Sequence, residues 1–427
     1  RFSTIVRNRC IQSFSESGLK SNELAIASAL TFGYKDELSQ FVKGIFSKTG
    51  AMHVLAVSGL HVGIVFLLIT SLFKFLKMSH RFKIVQQLVL IFFVWIYAII
   101  TGLSPSVLRA ATMLTFIAIA EIFNKSTNIY NILACSAIFL LSIDPYLITD
   151  VGFQLSFFAV TGIIYLYPII FNLIFVNNYI LKKIWSISSV SIAAQIATFP
   201  LSIYYFHQFP NFFLLSNLLV IPLVFFLLII GLSIIAFNFW PYVSIFLGKI
   251  LAIIISFIIN ALSLIESIPY SLTDGLFISV FETFMIYLLI LLVLYQLRFN
   301  FKFLNFLILI IADFIIAIDF SEDQKRLNKT GIVVYSIPNH TAIDLIEGKD
   351  HFFIADNKLL ENKKLINNYI RNNWEYNDLR NPKILIYDSL VSKSIKWKNK
   401  YIGFVNKKWN FSANLDFAII DKDFPMN

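Results

Sequence analysis

About ten apolar runs, each near the length a helix needs to cross a bilayer, fill the chain from residue 53 to residue 302. That pattern leaves few folds open. In hydrocarbon every backbone N–H and C=O must be satisfied internally, so only helices and closed barrels span it. Barrels are excluded because the runs are continuously apolar instead of alternating. Composition agrees: 58% of residues are hydrophobic and 14% charged, against roughly 45–50% and 25% in soluble domains. The spans read as 53–73, 84–101, 105–123, 129–143, 151–176, 185–205, 212–237, 243–263, 277–297 and 303–319. The expected fold class is mainly α, a polytopic transmembrane helix bundle with a small soluble C-terminal domain of α/β or α+β type.

Charge orients the bundle. Lys74, Lys77, Arg81, Lys83, Lys125, Lys182, Lys183, Arg298 and Lys302 fall on alternate connections, all on one side. The positive-inside rule makes that side cytoplasmic. The opposite connections, around Ser104, 144–150, 206–211 and 266–275, hold no Lys or Arg. An even number of spans then places both termini outside the cytoplasm, in a multi-pass protein of the cell (inner) membrane. The connection 238–242 is uncharged, but Lys249 in the next span can snorkel back to the cytoplasmic face.

Three regions follow. Residues 1–50 hold Leu24, Ala27, Leu30, Leu38, Phe41, Val42 and Ile45 with Lys35, Lys43 and Lys48 between them, which suits juxtamembrane or interfacial helices. The chain opens on Arg1 without Met, which implies a piece upstream. Residues 51–320 form the membrane domain. Residues 321–427, with 17 Lys or Arg and 13 Asp or Glu, read as a water-soluble extracytoplasmic domain. Strands are expected at 331–337, 341–346, 351–355, 383–387 and 401–405, a hairpin turn at 347–350, and a helix over 362–374. Cys10 and Cys135 lie too far apart in this topology to pair.

Polar groups inside the spans carry the functional signal. His53 and His61 are eight residues apart, about 80° around a helix and about 12 Å along it, so both can face the bundle interior without sharing a metal. They line a channel or make interhelical hydrogen bonds. Gly59 and Gly63, beside Ser58, have the G-x-x-x-G spacing that lets a neighbouring helix approach. In Gly102-Leu-Ser104-Pro105-Ser106-Val-Leu-Arg109, Ser104 suits an N-cap and Pro105 a first helical position. The helix start and Arg109 one turn deeper would favour an anion such as a phosphate oxygen. Asp150, opening Asp150-Val-Gly152-Phe-Gln154-Leu-Ser156 on the same side, is the alternative partner for Arg109 in a structural salt bridge. Glu282 and Asp313 are further polar candidates without a motif.

These words, with Ala29-Leu-Thr-Phe-Gly33, His53 to Gly63, Thr101 to Met113, Asp144-Pro145 and Asp150 to Ser156, resemble in order the competence domain of the ComEC/Rec2 family. The resemblance implies an inner-membrane channel through which single-stranded transforming DNA enters the cytoplasm during natural competence. Taken with the residue readings above, it puts the expected substrate path at His53, Ser58, His61, Ser104, Ser106, Arg109, Asp150, Gln154 and Ser156, with close helix packing expected at Gly59, Gly63, Gly102 and Gly152. It also implies membrane lipid around the bundle, a cytoplasmic motor ATPase or helicase, a periplasmic DNA receptor and a possible homodimer. The sequence has no Walker A motif of its own, so the pulling energy is expected from that separate motor.

The family's C-terminal domain is metallo-β-lactamase-like, and there this sequence departs from the pattern. A His-x-His-x-Asp-His metal box cannot be written from His340 and His351 with Asp344 and Asp356. A degenerate, non-catalytic domain is expected, with no cofactor and no metal. The alternative function is a secondary transporter or exporter of a small anionic or lipid-linked solute, which broken helices with outward N-termini would serve as well.

Overall fold

The computed structural model describes residues 2–73, 80–389, 394–405 and 415–420; Lys74 and Lys77 of the orientation argument lie outside the described residues. The chain divides into two compact units, Arg1–Ser279 and Val280–Asn427.

The first unit is helical. Its elements are α1 (Phe2–Glu16), α2 (Ser21–Phe32), α3 (Gln40–Lys48), α4 (Met52–Leu55), α5 (Gly59–Phe73), α6 (His80–Ile100), α7 (Pro105–Ile122), α8 (Ile129–Ile143), α9 (Val151–Phe171), α10 (Tyr179–Phe206), α11 (Phe213–Ala236) and α12 (Pro241–Glu266). Two short strands, β1 (Gln208–Pro210) and β2 (Leu272–Asp274), pair antiparallel between the loops that follow α10 and α12. In the second unit, α13 (Val280–Phe299) and α14 (Lys302–Leu327) precede the soluble part. Eight of these helices are long and apolar enough to cross a membrane, and α5 and α8 are shorter apolar helices of 15 residues. All ten expected spans therefore correspond to apolar helices, and the protein is a multi-pass membrane protein.

Two expectations fail in the first unit. The run from His53 is not one helix: α4 ends at Ala56, which is extended (ψ 122°), and α5 begins at Gly59. The 80° relation between His53 and His61 therefore does not apply. Helix α2, read as interfacial, is buried from Ala25 through Phe32. It forms a core with α1, α11 and α12 that includes Phe14, Ile26, Leu30, Val224, Leu227 and Ile255. Its charges sit only at the ends, Glu23 and the Lys20 that precedes it, so no charge lies within the buried stretch, whose polar side chains are the hydroxyls of Ser28 and Thr31.

Close approaches hold the bundle. A Cβ on Gly231 of α11 would lie 3.1 Å from Thr31 Oγ1 and 3.4 Å from Phe14 Cζ, and one on Gly162 of α9 would meet Ala197 Cβ and the Ala193 carbonyl of α10. With little hydrophobic drive between helices in lipid, such backbone proximity supplies the packing energy. The Tyr97 hydroxyl donates to the Thr31 carbonyl at 3.0 Å, tying α6 to the end of α2.

The soluble part of the second unit is layered. A four-stranded sheet, β3 (Thr330–Ile337), β4 (His340–Glu347), β5 (Asp350–Ala355) and β6 (Arg380–Ile386), is antiparallel except for the parallel β5–β6 pair. Between β5 and β6 run α15 (Asn357–Glu361), α16 (Lys363–Tyr369) and α17 (Arg371–Tyr376). Leu359, Ile370 and Trp374 of this stretch cover one face, with Ala342, Phe353 and Ala355. A second sheet, β7 (Ser394–Trp397), β8 (Lys400–Val405) and β9 (Phe417–Ile420), packs Trp397, Ile402 and Phe404 onto the other face, against Ile343, Leu345 and Ile354. The expected strands and the 347–350 turn appear, but the expected helix over 362–374 breaks at Ile370 into two.

Candidate functional site

Three helices of the first unit begin beside one another, and Arg109 lies among their starts. At α5 the break is set locally. The Ser58 amide donates to His61 Nδ1 at 3.1 Å, and the Ser58 hydroxyl lies 3.1 Å from the same nitrogen. An amide can only donate, so Nδ1 carries the lone pair and the ring proton sits on Nε2. His61 is fully buried, and its Nε2 has no hydrogen-bond partner among the described residues. His53 stands apart on α4, exposed, with its Nδ1 2.9 Å from the Gly50 carbonyl.

At α7 the turn before the helix uses Gly102 (φ 85°) and Leu103 (φ 55°), both left-handed. A Cβ on Gly102 would meet nothing, so its role is the turn and not the packing expected of it. Pro105 is the first helical residue as expected, but the Ser104 hydroxyl makes no cap bond and its buried Oγ has no partner among the described residues. With no side-chain cap, the first-turn N–H groups of Ser106 and Val107 are left free by helix geometry.

At α9 Asp150 is the N-cap, accepting from the Phe153 amide at 2.8 Å. Gln154 ties the start of α9 to its surroundings: Nε2 donates to the Ile148 carbonyl and Oε1 accepts from the Tyr205 hydroxyl of α10 at 2.9 Å. A Cβ on Gly152 would lie 3.1 Å from Asp150 Oδ1 and 3.7 Å from Pro105 Cγ, which sets the start of α9 against that of α7.

Arg109 joins the three. It is 6% exposed. Nη1 donates to the Ser156 carbonyl of α9 at 2.8 Å, and the guanidinium carbon stands 5.8 Å from the centroid of the Phe157 ring. Nη2 occupies the space beside Gly59, 2.8 Å from where a Cβ would be. Nε has no partner, and no ion pair joins Arg109 to a carboxylate among the described residues. The salt bridge with Asp150 is therefore not made: the carboxylate is used by its own helix. Ser156 contributes its carbonyl to Arg109. Gly59 makes the expected close approach, whereas a Cβ on Gly63 would meet nothing, so the G-x-x-x-G reading holds at one position only.

A buried cation with most of its donors free, set beside the N-terminus of α7 that has no side-chain cap, is a place of positive potential in a low-dielectric medium. Its chemistry is to attract and orient an anionic oxygen. Two contributors escaped the sequence reading. Gly33 ends α2 with φ 74°, and a Cβ there would meet the Thr101 carbonyl and Val57, so α2 abuts both the break and the α6–α7 turn. Tyr205, through Gln154, is the other. A glycine directly after an apolar helix was the available signal for the first.

In the second unit the four candidate metal-binding groups separate into two pairs, His340 with Asp356 at 3.0 Å and His351 with Asp344 at 2.7 Å. Among the described residues no cluster of three or more His, Cys, Asp or Glu could hold a metal ion. Asp344 is fully buried and also accepts from Tyr335 Oη and Trp374 Nε1, both at 2.6 Å. Burial pushes the Tyr335 hydroxyl far above its usual range, reinforced by its bond to Asp344. Glu282 of α13 is buried and Asp313 of α14 exposed.

Comparison with known proteins gives a consistent picture. The family described as Competence protein matches residues 30–300, and the ComEC C-terminal domain matches 332–427. "ComE operon protein 3" of Bacillus subtilis is 31% identical over 231 residues, 54% of this chain and 28% of that protein. "Recombination protein 2" of Haemophilus influenzae is 27% identical over 221 residues, 50% of this chain and 28% of that protein. "Uncharacterized protein YcaI" of Escherichia coli is 25% identical over 211 residues, 48% and 28%. The matches thus span less than a third of the length of these relatives. No solved structure matches.

Proposed function

The chain belongs to the ComEC/Rec2 family of competence proteins, and from that premise we propose that it admits single-stranded transforming DNA across the cell membrane, with the junction of α5, α7 and α9 as the entry to the path. The observation that carries the proposal is Arg109, buried, without a counter-ion among the described residues, and placed where two neighbouring helices start. A strand brings one negative charge per nucleotide into a medium where an unpaired charge is costly. Fixed dipoles and one cation, supplied by the uncapped amides of α7, the hydroxyls of Ser104 and Ser106, the His61 Nε2–H and the Arg109 guanidinium, offset part of that cost without holding any phosphate tightly. A path must release what it binds, and a dense row of lysines would not.

The Lys- and Arg-bearing connections face the cytoplasm in this reading, which leaves the junction and both termini on the outer side. Energy comes from a separate cytoplasmic motor, and an outer receptor delivers the strand. The same junction would suit a small anionic solute, because one Arg and two helix ends are enough for a single carboxylate or phosphate.

Transformation separates the readings. In a strain lacking the native gene, we expect Arg109→Ala to lower uptake of labelled DNA into the cytoplasm at least tenfold at equal membrane protein level, and Arg109→Lys to restore part of it. Normal uptake in the deletion strain would remove the import reading, and normal uptake by Arg109→Ala would remove the site.

A further inference from the structure

Charge is unevenly divided along the C-terminal sequence, and the described residues of the β7–β8–β9 region carry Lys396, Lys398 and Lys400 against Asp416. Residues 340–379 carry five Lys or Arg against seven Asp or Glu, whereas residues 380–408 carry eight against a single Asp. Two of the five basic groups of the first stretch are paired, Lys349 with Asp378 and Arg371 with Glu375 at 2.6 Å. Those of the β7–β8 hairpin are not. Lys396, Lys398 and Lys400 are all exposed, and among the described residues none is paired with a carboxylate.

Aromatic rings stand where these lysines do. Lys396 and Tyr401 are cross-strand partners, with the ammonium 5.9 Å from the ring centroid, and Lys400 lies 4.9 Å over the ring of Phe417. Both rings are solvent-facing, Tyr401 being 43% and Phe417 40% exposed. Trp397, Ile402 and Phe404 supply the core, and Tyr401, paired with Lys396, lies on the opposite, outward face; Phe417, paired with Ile402, and Lys400, paired with Trp397, lie on the core-facing side at its exposed edge. The hairpin tip breaks a local rule as well. Its two-residue loop, Lys398-Asn399, places Lys398 at φ 54°, where Gly, Asn or Asp is favoured. A lysine kept at a strained tip, flanked by two more, points to a role for the charge.

We propose that the β7–β8 hairpin is a contact surface for single-stranded nucleic acid, in which Lys396 and Lys398, with Lys400 at the edge, meet phosphates and the exposed ring of Tyr401 gives a base a plane to stack on. Unpaired cations alternating with exposed aromatic groups are the two requirements for sequence-tolerant single-strand binding. An anionic membrane surface would use the lysines but has no use for the stacking plane. The proposal rests on the reading that this chain handles single-stranded DNA, yet its test requires no transport.

The full chain in neutral-lipid nanodiscs is titrated against a fluorescent single-stranded 20-mer of mixed sequence. Replacing all three lysines by Gln should weaken binding at least tenfold near 100 mM salt and reduce the slope of log affinity against log salt by about two, since each phosphate contact contributes roughly 0.7 for single strands. Arginine at the same three positions should retain the affinity. Tyr401→Leu should weaken binding about fivefold or more with an unchanged salt slope, because stacking and not charge is removed. Affinity within twofold of the parent in the triple Gln variant would overturn the proposal. So would lysine substitutions that change binding to vesicles of phosphatidylglycerol while leaving the oligonucleotide affinity unmoved. Failure of import with intact hairpin binding would count against the channel reading alone, and the converse against the hairpin alone.

Discussion

Gly59 and Gly63 lie one turn apart on the same helix and belong to the same small-residue spacing, but they face different surroundings, and the difference gives a sharp test. A methyl group at Gly59 would sit 2.8 Å from Arg109 Nη2 and 3.4 Å from Ala110 Cβ; one at Gly63 would touch nothing. Ordinary contact begins near 3.5 Å, so in Gly59→Ala the guanidinium must retreat by about 0.7 Å. The atom that gives way is the tip of a flexible side chain, so the bundle itself survives. The displaced tip, however, loses the geometry of its 2.8 Å bond to the Ser156 carbonyl, a charged hydrogen bond of about 1.5–3 kcal/mol. If that placement serves the strand, Gly59→Ala should reduce DNA uptake about tenfold or more at normal membrane level, since about 1.4 kcal/mol corresponds to a factor of ten. Gly63→Ala should transform as the parent does, with stability unchanged or raised by about 0.5–1 kcal/mol through helix propensity. The assay is transformation frequency with quantified membrane protein for each variant. Equal uptake in the two variants, whether both normal or both impaired, would refute the reasoning.

Further outcomes concern stability and pH. Gly162→Val should destabilise the first unit by about 1–3 kcal/mol in a detergent melt, because the added carbons meet Ala197 and the Ala193 carbonyl, which cannot swing aside. Asp344→Ala strands three donors, that of the buried His351 and those of the half-buried Tyr335 and Trp374, and should cost the C-terminal domain about 3–5 kcal/mol, read from the unfolding of Trp374 fluorescence, with Asp344→Asn losing less. Burial raises the Asp356 carboxyl, but the Thr341 amide, His340 and the Leu359 amide together outweigh it and hold the group below the usual carboxylate range. Its contribution to stability is therefore fully present above pH ~4, the unfolded carboxylate value, and is lost as pH falls through the depressed folded value. The melting difference between parent and Asp356→Asn should be present at pH 7 and should close at low pH; a constant difference would contradict this assignment.

The spans were legible because lipid as solvent leaves one reading for an uncharged run of such length, and helix α8 falls on the expected 129–143. The start of α5 was harder. Its break at 56–58 is set by His61 reaching back to the Ser58 amide and by Val57 entering the core, neither of which hydropathy registers. Helix α2 was misread because its flanking charges suggested an interface; the uncharged stretch from Ala25 to Phe32 was the better guide. At the site, the residue types announced Arg109 and the start of α7. What they could not announce was occupancy: that Asp150 spends its carboxylate on its own helix and that no described carboxylate pairs with the guanidinium. In the soluble part, alternation revealed β3, β4 and β5, while β7 and β9, with four residues each, were too short to stand out.

The most direct test of the central claim is photocrosslinking of a strand arrested during uptake. A photoreactive amino acid at Ser106, in the first turn of α7, is compared with one at Ile138, which is 68% exposed on the apolar outside of α8. The account predicts a DNA adduct at position 106 that depends on arrested uptake, and none at 138. Adducts at both positions alike, or at 138 and not at 106, would contradict a path through the junction of α5, α7 and α9.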